Sequence, residues 1–200
     1  MKTLVIHSSV LGERSTSKAL AEHLSQRIRQ AAPADSIVVR DLAAQPLPYF
    51  DSEVLGALFT PAEARTPEQA RAVALSDSLI AELQAADRVV IAVPVYNFSV
   101  PAQLKSYIDY VARAGITFRY TKEGVPEGLL KGKRVYVLLS RGGKAAGTPD
   151  DNVTPYLRQM LGFLGMTDIE FVAAEGMAMG EAVAQEGLSR AKQRIEALAL

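Results

Sequence analysis

The 200-residue chain has no cysteine, no tryptophan, two histidines and no excess of charge of either sign. Without thiols there are no disulfides, no cysteine-ligated iron–sulfur clusters and no thiol catalysis. His7 and His23 alone argue against a histidine-based zinc site, so no metal is expected. Lysine plus arginine and aspartate plus glutamate both number 22. Nucleic-acid and anionic-membrane binders normally carry a basic surface, so neither kind of partner is expected. No apolar run approaches the roughly 18 residues of a membrane span, and the run from Met1 to His7 is too short for a signal-peptide core. A cytoplasmic chain is expected. Any redox chemistry it performs must use a borrowed group.

What is present is an alternation. Short β-branched runs begin at Leu4-Val5-Ile6 and recur at Ser36 to Asp41, Arg88 to Val93, Arg134 to Leu139 and Ile169 to Ala173. Continuous apolar runs of this kind suit strands covered on both faces. Between them lie helical patterns at Ser17 to Ala32, Thr66 to Ala85, Pro101 to Ala114, Pro155 to Leu164 and Glu181 to Ala199. Ser17 is the expected N-cap of the first, and Pro101 suits the first turn of the third. The order βαβαβαβαβα predicts one α/β domain over residues 1–200, a three-layer sandwich around a parallel sheet. Five strands favour the flavodoxin-like order 2-1-3-4-5. Leu42 to Pro67 reads as a long surface excursion, and Gly115 to Gly128 as a second insertion with Thr117 to Tyr120 as a short extended arm.

In that order ligands bind beyond the carboxyl ends of the strands, where the loops after strands one, three and four are neighbours. Those three loops are the unusual ones. The first, Ser8 to Ser17, is dense in hydroxyls and runs straight into a helix, which makes a neutral pocket for a phosphate. It lacks both the Gly-Lys-Ser/Thr ending of a triphosphate loop and the G-x-G-x-x-G of a dinucleotide site, so a monophosphate such as that of FMN fits better. The second, Pro94-Val95-Tyr96-Asn97-Phe98-Ser99-Val100-Pro101, brackets two aromatics between prolines and offers apolar surface to a planar ring. The third, Ser140-Arg141-Gly142-Gly143-Lys144, lets backbone amides approach a ligand closely. Each has a plainer reading as a capped polar loop, a Pro-Asn turn or a Gly-Gly turn. Elsewhere, His7 reads as a hydrogen-bonded core residue and His23 as solvated. Asp150 and Asp151 read as helix caps, and Met177 and Met179 as packing residues.

These motifs resemble one family across essentially the whole chain. Ala92 to Phe98 with Pro101, Leu104-Lys105 and Asp109 is similar to the flavin-ring motif of the FMN-dependent NADH-azoreductases, also described as NADH:quinone oxidoreductases. Val111 to Tyr120, Ser140 to Gly143, Gly162 to Gly165 and Ala174-Glu175-Gly176 continue the match. The resemblance implies that Ser9, Ser15, Thr16 and Ser17 hold the FMN phosphate, Thr16 standing where the family usually has glutamine. Pro94, Val95, Tyr96, Asn97 and Phe98, with Ser140, Arg141, Gly142 and Gly143, would bind the ring. Tyr120 and Phe163 would line the substrate side, Phe163 from the partner subunit of a homodimer. The loop from Lys144 to Asp151 varies within the family.

The implied reaction is a two-electron, ping-pong hydride transfer from NADH or NADPH to a quinone or azo compound. Flavin N5 carries the chemistry and no protein group is catalytic. Arg119, Lys122 and Lys144 would favour NADPH if they lay near the site. Two alternatives stay open: a flavodoxin-type electron carrier, and an FMN-binding regulator without turnover.

Overall fold

The computed structural model describes all residues, Met1–Leu200. Its main sheet has the strands β1 (Lys2–His7), β2 (Ser36–Asp41), β3 (Arg88–Pro94), β6 (Arg134–Ser140) and β7 (Asp168–Ala174). All neighbouring pairs are parallel, in the order β2-β1-β3-β6-β7, which is the expected 2-1-3-4-5. The helices are α1 (Thr16–Ala31), α2 (Ser52–Phe59), α3 (Pro67–Ala85), α4 (Ala102–Val111), α5 (Val153–Phe163) and α6 (Glu181–Glu196).

Successive strand residues face opposite ways, so each central strand feeds two cores. Val89, Ile91 and Val93 meet Leu79, Leu83, Leu104, Ile108 and Leu157 on one face. Val90 and Ala92 meet Leu20, Leu24, Ile28, Ala191 and Ile195 of α1 and α6 on the other. All seven residues of β3 are buried: Val89 to Pro94 as an unbroken apolar run requires, and Arg88 through its pairing with Asp35. β2 departs from that expectation. It is an edge strand, and Val38 and Val39 are exposed.

The first excursion contains a helix that its prolines and alanines obscure. Asp51 caps α2 by accepting from the Val54 N–H at 2.9 Å, and Val54 and Ala57 turn into the core. The second insertion is a hairpin, β4 (Phe118–Tyr120) paired antiparallel with β5 (Pro126–Gly128). Its base is anchored at Gly128, where a Cβ would lie 2.1 Å from the Gly165 nitrogen. Pro101 precedes α4 rather than opening it, and the helix stops at Val111. No helix is long and apolar enough to cross a membrane.

Candidate functional site

The loop after β1 is fixed by its own hydroxyls. Buried Ser8 donates to the Ala92 carbonyl at 2.7 Å, tying the tips of β1 and β3 together. Gly12 takes a positive φ of 55° at the start of a 3-10 turn, Gly12–Arg14. Ser15, not Ser17, is the N-cap of α1, and its Oγ accepts from the Lys18 N–H at 3.2 Å. The side chain of Ser17 is buried beneath it, 3.2 Å from the Ser15 Oγ. The first two helical N–H groups, those of Thr16 and Ser17, have no intrahelical acceptor. Lys18 is engaged by Glu13 and Glu22, whereas Arg14 has no ion-pair partner.

The loop after β3 is a tight turn. Tyr96 and Ser99 exchange both backbone hydrogen bonds at 3.0 Å, with Asn97 (φ 48°) and Phe98 (φ 67°) left-handed between them. Two positive φ angles belong to a hairpin turn that favours Asn-Gly, so phenylalanine at the second position is held under strain. Phe98 is 79% exposed, a costly way to spend an aromatic side chain unless something covers it. The Val95 N–H donates to the Ser140 carbonyl at 2.8 Å, joining this loop to the next.

The loop after β6 is zipped to the end of β7. The carbonyls of Arg141, Gly142 and Gly143 accept from Met177, Ala178 and Gly176 at 3.1, 3.0 and 2.9 Å. With the carbonyls so used, the N–H groups of Gly142, Gly143 and Lys144 donate to no protein acceptor, and neither do those of Asn97 and Phe98. The Arg141 side chain turns inward. Its guanidinium is buried and lies 3.0 Å from Asp151. Burial pushes the Asp151 carboxyl up, but its hydrogen bonds to Thr154 and the Arg141 charge outweigh this and hold it below the ordinary carboxylate value.

The three loops enclose one trough. A hollow of about 520 Å³ is bordered by Val95, Asn97, Phe98, Gly142, Gly143 and Lys144, with the 145–153 segment as its far wall. A smaller one of about 150 Å³ is bordered by Ser9, Arg14, Ser15, Thr16, Pro94, Tyr96 and Ser140. They share Val95, Arg141 and Gly142 and so adjoin along one trough. The wide end suits a planar, hydrogen-bond-accepting ring system, and the narrow end a phosphate. Five backbone N–H groups beside the wide end are engaged by no protein acceptor and face the hollow's rim, where a ligand can supply oxygen or nitrogen acceptors.

Twelve of the thirteen expected cofactor residues border this trough; Ser17 lies behind it. Arg141 borders it too, but its charge is directed to Asp151. Tyr120 and Phe163 do not border it. They lie in an aromatic cluster around Phe118, whose ring centroid is 4.4 Å from that of Phe163 and 5.9 Å from that of Tyr120. Arg119 is paired with Glu127, so of the three candidate cations only Lys144 borders the trough.

Of the isolated candidates, Asp151 and Met177 behave as expected and the others need correction. His7 is buried, but its Nδ1 has no partner. His23 Nε2 lies 2.6 Å from Glu196. Asp151 caps α5 through the Thr154 N–H, while the side chain of Asp150 borders the trough instead. Met177 packs on the second core, and Met179 is exposed. Glu175, which accepts from two amides of the far wall, was visible only as part of a motif.

A parallel sheet in this order, with ligand-binding loops at its switch point, defines a flavodoxin-like protein. A family model described as flavodoxin-like fold matches residues 1–199. The chain belongs to that family and, within it, to the FMN-dependent NADH:quinone oxidoreductases. A protein of that name from Bordetella avium is 71% identical over 198 residues, 99% of this chain and 98% of its own. Another from Pectobacterium atrosepticum is 56% identical, covering 98% of both chains. Among solved structures, an azoreductase from Bacillus anthracis is 32% identical with a TM-score of 0.86, covering 99% of this chain and 100% of its own. An FMN-dependent NADH-azoreductase of the same species, in complex with FMN, has a TM-score of 0.86 at 28% identity, covering 100% of this chain and 99% of its own.

Proposed function

We propose that this protein is an FMN-dependent oxidoreductase that takes a hydride from NADH and reduces quinones and azo compounds. The observation that carries the reading is the trough, which joins a helix-start hydroxyl pocket to a wide end bordered by unpaired amides. Bound FMN supplies an N5 atom that accepts a hydride and passes it on. Ser9, Ser15 and Thr16, with the first N–H groups of α1, receive the phosphate tail, where the helix dipole favours negative charge. Val95 and Phe98 present apolar surface to the ring. The amides of Asn97, Gly142, Gly143 and Lys144 receive its polar edge.

The remaining work of the chain is positioning. Neither histidine borders the trough, so protons come and go through solvent rather than through a buried imidazole. The trough is open to solvent on the side away from these loops, and NADH and then the acceptor would each reach a bound ring from there. Tyr120 is exposed on the hairpin and Phe163 is half-buried against the core beside Phe118, and in a homodimer both would line the substrate side, Phe163 from the partner subunit. A homodimer with sites at its interface is part of this reading. Lys144 at the trough is the residue through which a 2′-phosphate would be tolerated.

Anaerobic half-reactions test this reading. NADH added to the FMN-loaded protein should bleach the visible flavin band once per bound FMN, and menadione should restore it. A band that NADH leaves untouched would instead indicate an electron carrier that depends on a separate reductase. Bleaching without restoration by quinone or azo dye would indicate a regulator.

A further inference from the structure

The far wall of the trough is held from behind by buried charge that the proposed reaction does not use. Glu175 follows β7, and its Oε1 accepts from the N–H groups of Ala145 and Ala146 at 2.7 and 2.8 Å. The same oxygen lies 3.8 Å from the Arg141 Nε, which has no hydrogen-bond partner of its own. The other side of that guanidinium meets Asp151 at 3.0 Å, and Asp151 in turn caps α5 through the Thr154 N–H at 3.1 Å. Arg141 and Asp151 are both about 6% exposed at the side chain. One guanidinium thus sits between two carboxylates that grip the two ends of the 142–151 segment. Removing either partner of the buried Arg141–Asp151 pair would be expensive, so the Asp151 end is held stiffly, while the Glu175 end is held by its two accepted hydrogen bonds.

The backbone explains why a grip is needed. Residues 141–143 are zipped to 176–178 through their carbonyls, and the segment from Ala145 onward leaves this pairing. Gly176 makes the turn that allows this, at φ 76° and in a place where a Cβ would lie 2.7 Å from Val183. Glu175 is itself fixed by α6, since Gly187 approaches so closely that a Cβ there would stand 2.1 Å from the Glu175 carbonyl oxygen. The carboxylate is therefore a fixed post set into the sheet, and the wall hangs from it.

We infer that Glu175 is a positioning residue for the ring end of the trough. Its carboxylate, by accepting from Ala145 and Ala146, holds the Gly142, Gly143 and Lys144 amides at the spacing that the ring edge requires. It touches neither cofactor nor substrate. The inference rests on the FMN reading, and the two fail in distinguishable ways.

Glu175→Ala and Glu175→Gln separate the possibilities, because the glutamine carbonyl still accepts from both amides while the charge is lost. Two readouts apply: the affinities of the apoprotein for FMN and riboflavin, and hydrogen exchange at Ala145 and Ala146 in the apoprotein. In E175A, both affinities should fall by the same factor, about ten-fold for two lost hydrogen bonds, since the damage is at the ring end and not at the phosphate. The two amides should lose protection while those of β1, β3 and β6 keep theirs. E175Q should restore affinity and protection. The inference is overturned if E175A binds both flavins as the wild type does, if E175Q behaves like E175A, or if the two amides exchange equally fast in wild type and E175A. Wild-type protein that binds neither flavin overturns the FMN reading itself, whereas wild-type binding with an unaltered E175A overturns the inference alone.

Discussion

The Ser9 Oγ lies 3.0 Å from the Tyr96 hydroxyl, although 87 residues separate them. The bond bridges the loops after β1 and β3 at the narrow end of the trough, and adds to the Ser8–Ala92 tie between the same strand tips. Ser9 also accepts from the Leu11 N–H at 3.3 Å, which orients its oxygen within its own loop. Tyr96→Phe removes the bridge and leaves the ring in place. FMN affinity should fall about five-fold, equivalent to one hydrogen bond of about 1 kcal/mol. A fluorescence titration of the apoprotein measures this.

The strained turn makes a prediction with opposite signs. Phe98→Gly relieves a left-handed backbone that a bulky residue adopts at a cost of order 1 kcal/mol, and Phe98 packs on little else. The apoprotein should melt at a higher temperature and bind FMN more weakly. Asn97→Ala should weaken FMN retention as well, because alanine tolerates φ 48° less readily than asparagine. Gly142→Val should do the same by filling the trough wall, where a Cβ already meets the Ala178 Cβ at 3.1 Å. Unchanged affinity in both N97A and G142V would refute the ring placement.

His7 gives the fold a pH dependence that its surface does not suggest. Burial pushes its imidazole below the ordinary value of about 6.5, with Lys18 acting in the same direction and Asp41, Glu22 and Glu13 opposing. The unfolded chain therefore takes up a proton at a higher pH than the folded one. Stability should be level above about pH 6.5 and decline as pH falls below it, until the folded imidazole is also protonated. His7→Gln should flatten that decline. Urea midpoints at successive pH values check it.

Packing behind the trough predicts a surface-like substitution that is not benign. Gly187→Ala would ordinarily help a helix by about 1 kcal/mol. Here its Cβ would stand 2.1 Å from the backbone oxygen of Glu175, and α6 must move off β7 to admit it. A net loss of about 1–3 kcal/mol in equilibrium unfolding is expected.

The sheet order was legible because β3 and β6 are buried on both faces and have no polar residue to break their runs. The trough was legible because hydroxyls, bracketing prolines and a glycine pair all fall at adjoining strand tips. What escaped detection had specific causes. α2 has eight residues, in a stretch that prolines and alanines make look irregular. The extended arm at Thr117 to Tyr120 was legible and is β4, but its partner β5, three residues long, is below the length at which alternation registers. Val38 and Val39 look like core from their chemistry, and only the topology places them at an edge. The inward turn of Arg141 and the clamp at Glu175 depend on pairings across 10 and 30 residues that no local pattern encodes.

The most direct test of one trough for ring and tail together is a crystal structure of the FMN complex. The isoalloxazine should lie against residues 95–98 and 142–144, with the phosphate at the start of α1 beside Ser15 and Thr16. An FMN bound elsewhere, or a phosphate more than a hydrogen bond's length from those amides, would contradict the account.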